Sequence, residues 1–163
     1  MTAHPLTLRQ LTTEDAAAIR LWPTYPPAFA LLDFALRKGG WLDQFPESPR
    51  AHRYAAWRGD VLKGISILAD IAEGDAEFYL ALHPDHIGQG LGEWITRQTA
   101  LVGFTHLGLS RIYLKVRDWH KTAMAVYERV GFTRQGTCVV PIQGQPVQFV
   151  VMEIFPSALQ GQG

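Results

Sequence analysis

A glycine-rich turn at residues 88–92, GQGLG, carries the clearest chemical signal in the sequence. An apolar run at residues 79–82 precedes the turn and has the character of a buried strand. Leu91, Trp94 and Ile95 follow with the spacing of one helix face. Glycine lets backbone N–H groups approach a ligand, and a helix N-terminus is partly positive, so this arrangement predicts a phosphate cradle. The alternative is that the glycines only form the turn.

A tyrosine and a histidine form the second chemical candidate. Tyr127 and His120 lie seven residues apart in a helix predicted for residues 119–130, so their side chains point the same way. A tyrosine hydroxyl can act as a general acid, and a histidine can relay protons near neutral pH. Alternatively, Tyr127 only packs its ring in the core with its hydroxyl at the edge.

The composition indicates one globular domain of 163 residues, with 47% hydrophobic and 18% charged residues. The 15 basic and 15 acidic residues cancel, which argues against nucleic acid or a membrane surface as a partner. No apolar segment is long enough to span a membrane, so we expect a cytoplasmic location. The single cysteine, Cys138, predicts no disulfide and no metal cluster, and its apolar neighbours predict a buried strand position.

Hydrophobic periodicity and turn residues predict the element order β-α-α-β-β-β-α-β-α-β-β. This order predicts a mixed α/β (α+β) single domain over residues 1–155. Its mostly antiparallel, mixed sheet should have about seven strands, flanked by about four helices. We expect an irregular loop at residues 41–50 and a short, frayed polar tail at residues 156–163. Regular βαβ alternation and a Gly-Lys-Ser/Thr phosphate loop are both missing, which disfavours the common nucleotide-binding folds.

Aromatic residues are concentrated between positions 22 and 45. The interpretation that we favour is core packing beneath a long loop, because aromatic side chains dominate protein cores. The alternative is an apolar wall on the acceptor side of a binding site. The residues concerned are Trp22, Tyr25, Phe29, Phe34, Trp41 and Phe45.

Three stretches resemble, in order and spacing, the motifs of the GNAT N-acetyltransferase superfamily. LHPD at residues 82–85, GQGLG at 88–92 and AVYERVGF at 125–132 are similar to the family's V-x-P, R/Q-x-x-G-x-G/A and A-x-x-L-Y-E-x-x-G-F motifs. The predicted element order also resembles that of the family across residues 1–155, although the motifs cover mainly residues 77–132.

The resemblance implies acetyl-CoA as the acetyl donor and a primary amine as the acceptor. We expect a small molecule or a peptide to carry that amine. Direct attack in a ternary complex fits, because no activated cysteine or serine is evident to carry an acetyl group. Tyr127 would protonate the departing thiolate, and His120 would stand where many members carry an asparagine. Residues 80–82 would pair with the pantetheine arm like an added strand, and residues 88–93 would bind the pyrophosphate. The implied cosubstrate contacts are Leu80, Ala81, Leu82, Gly88, Gln89, Gly90, Leu91, Gly92, Glu93, His120 and Ala123.

The sequence departs from the family pattern at three positions. Ile87 stands where the family usually has Arg or Gln, and Glu93 brings a negative charge to the phosphate turn. We expect one or more of Arg97, Arg117 and Lys121 to compensate. Lys115 replaces a glutamate that some members use as the base.

The base that we predict instead is Glu77, with His83 as a second candidate. The alternative for Glu77 is that it is an ordinary exposed charge at a strand edge, because carboxylates are mostly exposed.

A second function class remains open at the sequence level. The missing family base and Ile87 are also compatible with a non-catalytic acyl-CoA-binding sensor or interaction module on the same fold. The acceptor itself is not readable, although the aromatic region favours an amine of apolar character. A homodimer is the assembly to expect if the chain associates, since two-fold dimers are the commonest oligomers.

Overall fold

A computed structural model describes residues 4–159, which form one seven-stranded sheet, five α-helices and three short 3-10 segments. The strands are β1 (Leu6–Gln10), β2 (His52–Arg58), β3 (Val61–Ala72), β4 (Asp75–Leu82), β5 (Arg111–Arg117), β6 (Thr133–Ile142) and β7 (Gln145–Ile154). The helices are α1 (Thr13–Arg20), α2 (Ala30–Leu36), α3 (Trp41–Gln44), α4 (Leu91–Thr105) and α5 (Lys121–Val130). The 3-10 segments are Pro27–Phe29, Pro84–His86 and Pro156–Ala158. The mixed α/β prediction is confirmed.

The sheet has the strand order β1-β2-β3-β4-β5-β7-β6. Every neighbouring pair is antiparallel except β4 and β5, which run parallel. Their ladder has three pairs and ends at Glu77↔Tyr113. Beyond this level β4 and β5 separate, and the sheet opens into a V-shaped gap. We call this opening the cleft.

Side-chain alternation along β4 and β5 divides the core between the two faces of the sheet. Even-numbered residues such as Phe78 and Leu114 pack in a cluster with α4 and α5. Ala81 packs on the other face, in a cluster with α1, α2 and α3. We call these the α4/α5 face and the α1/α2 face. One face of the β4–β5 pair therefore packs against α4 and α5, and the other packs against α1, α2 and α3.

The start of α1 follows the sequence prediction. The Thr12 hydroxyl accepts the Asp15 N–H at 3.1 Å, and the Thr12 N–H donates to the Asp15 carboxylate at 2.9 Å. This reciprocal capping box satisfies two N–H groups that a helix end leaves without partners, and such caps contribute roughly 1 kcal/mol.

Two local predictions are wrong. Residues 41–50 contain the helix α3 rather than only irregular chain, because Asp43 accepts the Gly39 N–H at 2.6 Å and Leu42 is buried in the core. The tail is predicted to fray after residue 155, but the chain stays packed as far as residue 159, because Ala158 and Leu159 contact the core. Residues 160–163 lie outside the described range.

Cys138 lies on β6 as predicted, but it is only partly buried. None of the helices within residues 4–159 has the length and apolar character needed to cross a membrane.

Candidate active site

The cleft between β4 and β5 is part of a cavity of about 1120 Å³. Both strands line it, together with the glycine turn, α5, the region around α2 and the β6–β7 hairpin. Glu77, Tyr127 and His120 all line this one cavity. So do all the predicted cosubstrate contacts except Gln89.

The backbone of β4 presents hydrogen-bonding groups to the cleft. The His83 N–H donates to the Lys63 carbonyl on β3 at 2.8 Å, and antiparallel pairing alternates along a strand. The N–H and C=O groups of Ala81 therefore face β3, while those of Leu80 and Leu82 point away from it. Leu80 and Leu82 thus offer an edge that an extended ligand arm can join. The backbone groups of Ala81 do not face the cleft, so the strand residues available to pair with the pantetheine arm are Leu80 and Leu82 rather than all of residues 80–82.

Tyr25 already uses one of these groups. Its hydroxyl donates a hydrogen bond to the Leu82 carbonyl. This bond ties the loop before α2 to the edge of the cleft. The groups of Leu80 and the Leu82 N–H remain as the ligand-facing part of the strand.

The glycine turn has the backbone conformation that its sequence predicts. Gly88 and Gly90 have φ values of 87° and 78°, and Gly90 is the N-cap of α4. A Cβ built on either glycine would meet no atom within 4 Å, so open space lies beside the backbone there. The first N–H groups of α4 have no side-chain cap at Gly90. These features fit a pyrophosphate group, because orphan N–H groups and the helix dipole favour an anion.

Two arginines neutralise the negative charge that Glu93 brings to the turn, and one of them is Arg97, which the sequence predicts as a compensating residue. Its carboxylate accepts from Arg129 Nε at 2.7 Å and from Arg97 at 3.2 Å. The Arg129 hydrogen bond contributes most to holding the Glu93 pKa below its usual value. One carboxylate between two guanidinium groups leaves a local charge of about +1. Sequence reasoning missed Arg129 because 36 residues separate it from Glu93.

Tyr127 lines the cavity from α5 on the α4/α5 face. Its ring makes edge-on contacts with Phe78 and Phe132, at centroid distances of 6.4 and 5.9 Å. Burial raises the Tyr127 pKa to about 12. The hydroxyl therefore keeps its proton at neutral pH and can donate it. The sequence left core packing and a role at the site as alternatives for Tyr127. In the structure its ring packs against the core and also lines the cavity.

Glu77 is 4% exposed, so the alternative of an exposed strand-edge charge is wrong. Its carboxylate lies 3.3 Å from Lys115 Nζ and is hydrogen-bonded to Tyr79. Desolvation is the largest influence on the Glu77 pKa and raises it, while Lys115 acts in the opposite direction. A carboxylate with a raised pKa inside a cavity is a stronger base than an exposed one.

His120 is the N-cap of α5 rather than a residue within the helix, which begins two residues later than predicted. Its Nδ1 accepts the Ala123 N–H at 3.4 Å, and its ring stacks on Trp119 at 5.1 Å. Burial lowers the His120 pKa, which favours the neutral ring. A neutral ring that accepts at Nδ1 carries its proton on Nε2, so His120 can donate a hydrogen bond there.

The pattern of a splayed β4–β5 pair, a glycine turn and a tyrosine on α5 agrees with the family comparison. The profile of the Acetyltransferase (GNAT) family matches residues 15–132, which is well over half of the chain. The chain belongs to the GNAT acetyltransferase family.

Individual relatives match shorter stretches of this GNAT chain. It is 36% identical over 93 residues to a mycothiol acetyltransferase of Geodermatophilus obscurus, which covers 53% of the chain and 30% of that protein. It is 34% identical over 64 residues to a spermidine N(1)-acetyltransferase of Vibrio cholerae, which covers 39% of the chain and 37% of that protein. The chain thus spans about a third of the length of these curated relatives.

A solved structure matches nearly the whole GNAT fold. The spermidine N-acetyltransferase from Vibrio cholerae in complex with CoA and spermine superposes with a TM-score of 0.74 at 24% identity. The match covers 94% of this chain and 96% of that one. At this identity the comparison establishes the fold.

One residue predicted for the GNAT site lies elsewhere in the structure. His83, the second candidate base, does not belong to the cavity lining. Its ring packs against Trp22 at 5.0 Å and His86 at 4.7 Å, and its Nδ1 accepts the Asp85 N–H. Proline at the next position starts the 3-10 segment, so His83 caps that segment instead of reaching the cleft.

The aromatic region of the GNAT chain divides between its two interpretations. Trp22 and Tyr25 are buried in the core beside α1 and α2, as the favoured interpretation predicts, although Tyr25 also lines the cavity. Phe29, Phe34 and Trp41 line the cavity, as the alternative predicts. Trp41 and Phe45 also contact the Tyr79 ring, at 4.9 and 5.0 Å. The cavity therefore has an aromatic wall on the α1/α2 face.

The GNAT site holds no recognisable metal-binding group. Within residues 4–159, no three His, Cys, Asp or Glu side chains cluster closely enough to hold an ion.

Proposed function

We propose that the chain is an N-acetyltransferase that transfers the acetyl group of acetyl-CoA to a primary amine of a small molecule or peptide. The observation that carries the proposal is the single cavity that joins the splayed strands, the glycine turn, Tyr127 and Glu77. The two relatives named above are acetyltransferases by name, and one is named for spermidine, which is an amine.

The residues of this chain divide between binding the donor and handling protons. Acetyl-CoA supplies an acetyl thioester. The backbone of Leu80 and Leu82 would bind the pantetheine arm, and the turn at residues 88–92 would bind the pyrophosphate. The charge shared by Glu93, Arg97 and Arg129 would support this anion binding, in place of the cationic or polar residue that Ile87 replaces.

Glu77 and Tyr127 would move the two protons of the reaction. Glu77 accepts a proton from the acceptor ammonium, directly or through water, because only the neutral amine has a lone pair for attack. The amine nitrogen bonds to the acetyl carbon as the carbon–sulfur bond breaks. The nitrogen of the new amide then releases its second proton to water, which restores the proton that Tyr127 gives to the sulfur. Tyr127 donates its proton to the sulfur, because its hydroxyl is protonated at neutral pH and its side chain lines the cavity from α5. His120 would donate a hydrogen bond to the pantetheine arm from Nε2.

Direct attack in a ternary complex suits the groups available. Cys138 lies on β6, and it is not part of the cavity lining. The cavity thus offers no cysteine that could carry the acetyl group between substrates.

A thiol-release assay with acetyl-CoA and a panel of amines tests the proposal. The panel contains alkylamines, polyamines, amino-sugars, amino acids and peptide N-termini, and a thermal-shift titration with acetyl-CoA runs in parallel. The proposal predicts that acetyl-CoA raises Tm and that at least one amine releases thiol. A rise in Tm without thiol release from any amine would favour the non-catalytic acyl-CoA sensor, and no rise in Tm would contradict both.

A further inference from the structure

Arg117, one of the cations that line the cavity, has no carboxylate partner within residues 4–159. Lys115 pairs with Glu77, and Arg129 pairs with Glu93. Among the residues that the structure describes, no carboxylate forms an ion pair with Arg117. The charged side chains that line the cavity are Glu77, Glu93, Lys115, Arg117 and Arg129. Among these lining side chains the cations outnumber the carboxylates by one, and Arg117 is the lining cation that forms no ion pair with a described carboxylate.

The Arg117 guanidinium lies near two aromatic rings and makes no side-chain hydrogen bond with the described part of the chain. Its Cζ lies 5.6 Å from the Trp119 ring centroid and 6.0 Å from the Phe149 centroid. Its Nε is buried and makes no hydrogen bond within the described chain. Ring contacts stabilise the cation through its faces and leave the N–H donors in its plane for other groups. Such a planar fork suits a carboxylate or a phosphate.

The position of Arg117 on β5 favours a ligand on the α1/α2 face. Leu114 and Val116 pack with α4 and α5, so Lys115 and Arg117 point to the opposite face. Glu77 and Tyr79 alternate with Phe78 on β4 and share that face with Arg117. The glycine turn starts α4, which packs on the α4/α5 face. Arg117 thus belongs with the proposed base and not with the phosphate turn.

The same side of the cavity has an apolar wall that restricts the acceptor further. Phe29, Phe34 and Trp41 line it, and Trp41 contacts Tyr79. A flexible polycation would meet the charge of Arg117 there. Among the described lining residues on this side, the carboxylate that it could reach is Glu77, which Lys115 already neutralises. An apolar body with a single negative group fits both the wall and the charge.

We infer that the acceptor is an amine joined to a carboxylate by an apolar or aromatic body, as in an amino acid with an apolar side chain. Arg117 binds the carboxylate, the aromatic wall packs the body, and the amine lies toward Glu77. This inference rests on the proposed N-acetyltransferase function and names its substrate class.

Paired acceptors that differ only in the carboxylate test the inference. The pairs are L-phenylalanine with phenethylamine and L-leucine with 3-methylbutylamine, each assayed by thiol release from acetyl-CoA. The wild type should favour the amino acid of each pair in kcat/KM by on the order of 10- to 100-fold, as expected for a charge-assisted hydrogen bond. Arg117→Gln should remove most of this preference and leave the KM for acetyl-CoA unchanged. Because every variant is measured on the same pairs, differences in amine basicity cancel.

Arg58→Gln is the matched control, since Arg58 lies on β2 outside the cavity and its loss changes the net charge equally. It should keep the wild-type preference, and Arg117→Lys should keep part of it.

If Arg117→Gln lowered kcat/KM equally for both members of each pair and raised the KM for acetyl-CoA, Arg117 would be assigned to the phosphates and the inference would be overturned. Wild-type turnover of phenethylamine or spermidine that matches the amino acids would also overturn it, although the N-acetyltransferase function would stand. Thiol release from no amine would refute the proposed function itself.

Discussion

Lys115 holds its ammonium 3.3 Å from the buried carboxylate of Glu77, at the level where β4 and β5 separate. Burial disfavours the charged carboxylate, and the neighbouring cation favours it. Burial has the larger influence, so the Glu77 pKa stays above its usual value. The pair therefore sets the pH at which the proposed base becomes active.

Replacing Lys115 should move the acid limb of the pH–rate profile. Lys115→Met removes the charge that lowers the Glu77 pKa, so that pKa should rise further. Glu77 would then lose its proton only at higher pH, so kcat/KM should begin to rise at a higher pH than in the wild type. The measurement is kcat/KM from pH 5 to 9 on the best acceptor, with Lys115→Arg as a control that keeps the charge. An acid limb at the wild-type position in Lys115→Met would refute the coupling.

Glu77→Gln should reduce activity and increase stability. Loss of a general base typically lowers turnover by about 10²- to 10⁴-fold. The folded-state pKa of Glu77 lies above its unfolded value, so ionisation of Glu77 destabilises the folded protein as pH rises through the folded pKa. The variant should therefore have a higher Tm than the wild type at pH 8 and a similar Tm at pH 4.

Tm measured across this pH range checks the stability effect. Glu128→Gln is the control, because Glu128 is exposed and forms only a 3.8 Å pair with Arg134. Its Tm should follow the wild type at every pH. A Tm difference for Glu77→Gln that does not vary with pH would show that its raised pKa is not the cause.

Gly90→Ala should impair both folding and donor binding. The φ of 78° lies in the left-handed region, where a residue with a Cβ costs about 1–2 kcal/mol. The methyl group would also enter the open space beside the turn, so the KM for acetyl-CoA should rise. Gly136→Ala on β6 is the matched control, because its Cβ also meets no atom within 4 Å and its φ is not in the left-handed region. Urea unfolding and acetyl-CoA titration measure the two effects, and equal behaviour of the two variants would contradict the cradle.

These glycines show which parts of the site local sequence can predict. The strand, turn and helix around residues 79–94 follow from periodicity and glycine chemistry within one short segment, and each appears in the structure. The element order was also predictable, because turns and apolar runs are local features. The short helix α3 was not, since it depends on Leu42 entering a core formed by distant elements.

The site's electrostatics depended on contacts that sequence spacing does not reveal. Arg129 neutralises Glu93 across 36 residues, and Lys115 reaches Glu77 across 38. Alternation along β5 places Arg117 on the α1/α2 face, which the sequence alone would allow one to deduce. Sequence spacing could not show that, within residues 4–159, Arg117 has no carboxylate partner, because that depends on which distant side chains the fold brings near it.

Arg129→Gln should weaken donor binding with little effect on stability. The change leaves Glu93 with Arg97 and reduces the local charge near the turn from about +1 to about 0. The KM for acetyl-CoA should rise by roughly 3- to 10-fold at low salt and less at high salt, because ions screen exposed charges. Tm should change little, since Arg129 is 58% exposed.

The control for this change is Arg134→Gln, which breaks another exposed arginine–glutamate pair outside the cavity. It should leave the KM for acetyl-CoA at the wild-type value. If the ratio of the Arg129→Gln KM to the wild-type KM were the same at low and at high salt, an electrostatic role for Arg129 would be contradicted.

We propose that the cavity of this GNAT chain transfers acetyl groups to an amine and that Tyr127 is the proton donor. The most direct measurement compares single-turnover thiol release from acetyl-CoA by the wild type and Tyr127→Phe, from pH 6 to 10, on the best acceptor of the panel. The account predicts release by the wild type, about 10²- to 10⁴-fold slower release by Tyr127→Phe, and the same acetyl-CoA thermal shift for both proteins. Equal rates in the two proteins at every pH would contradict the role of Tyr127, and no release by the wild type with any amine would contradict the account as a whole.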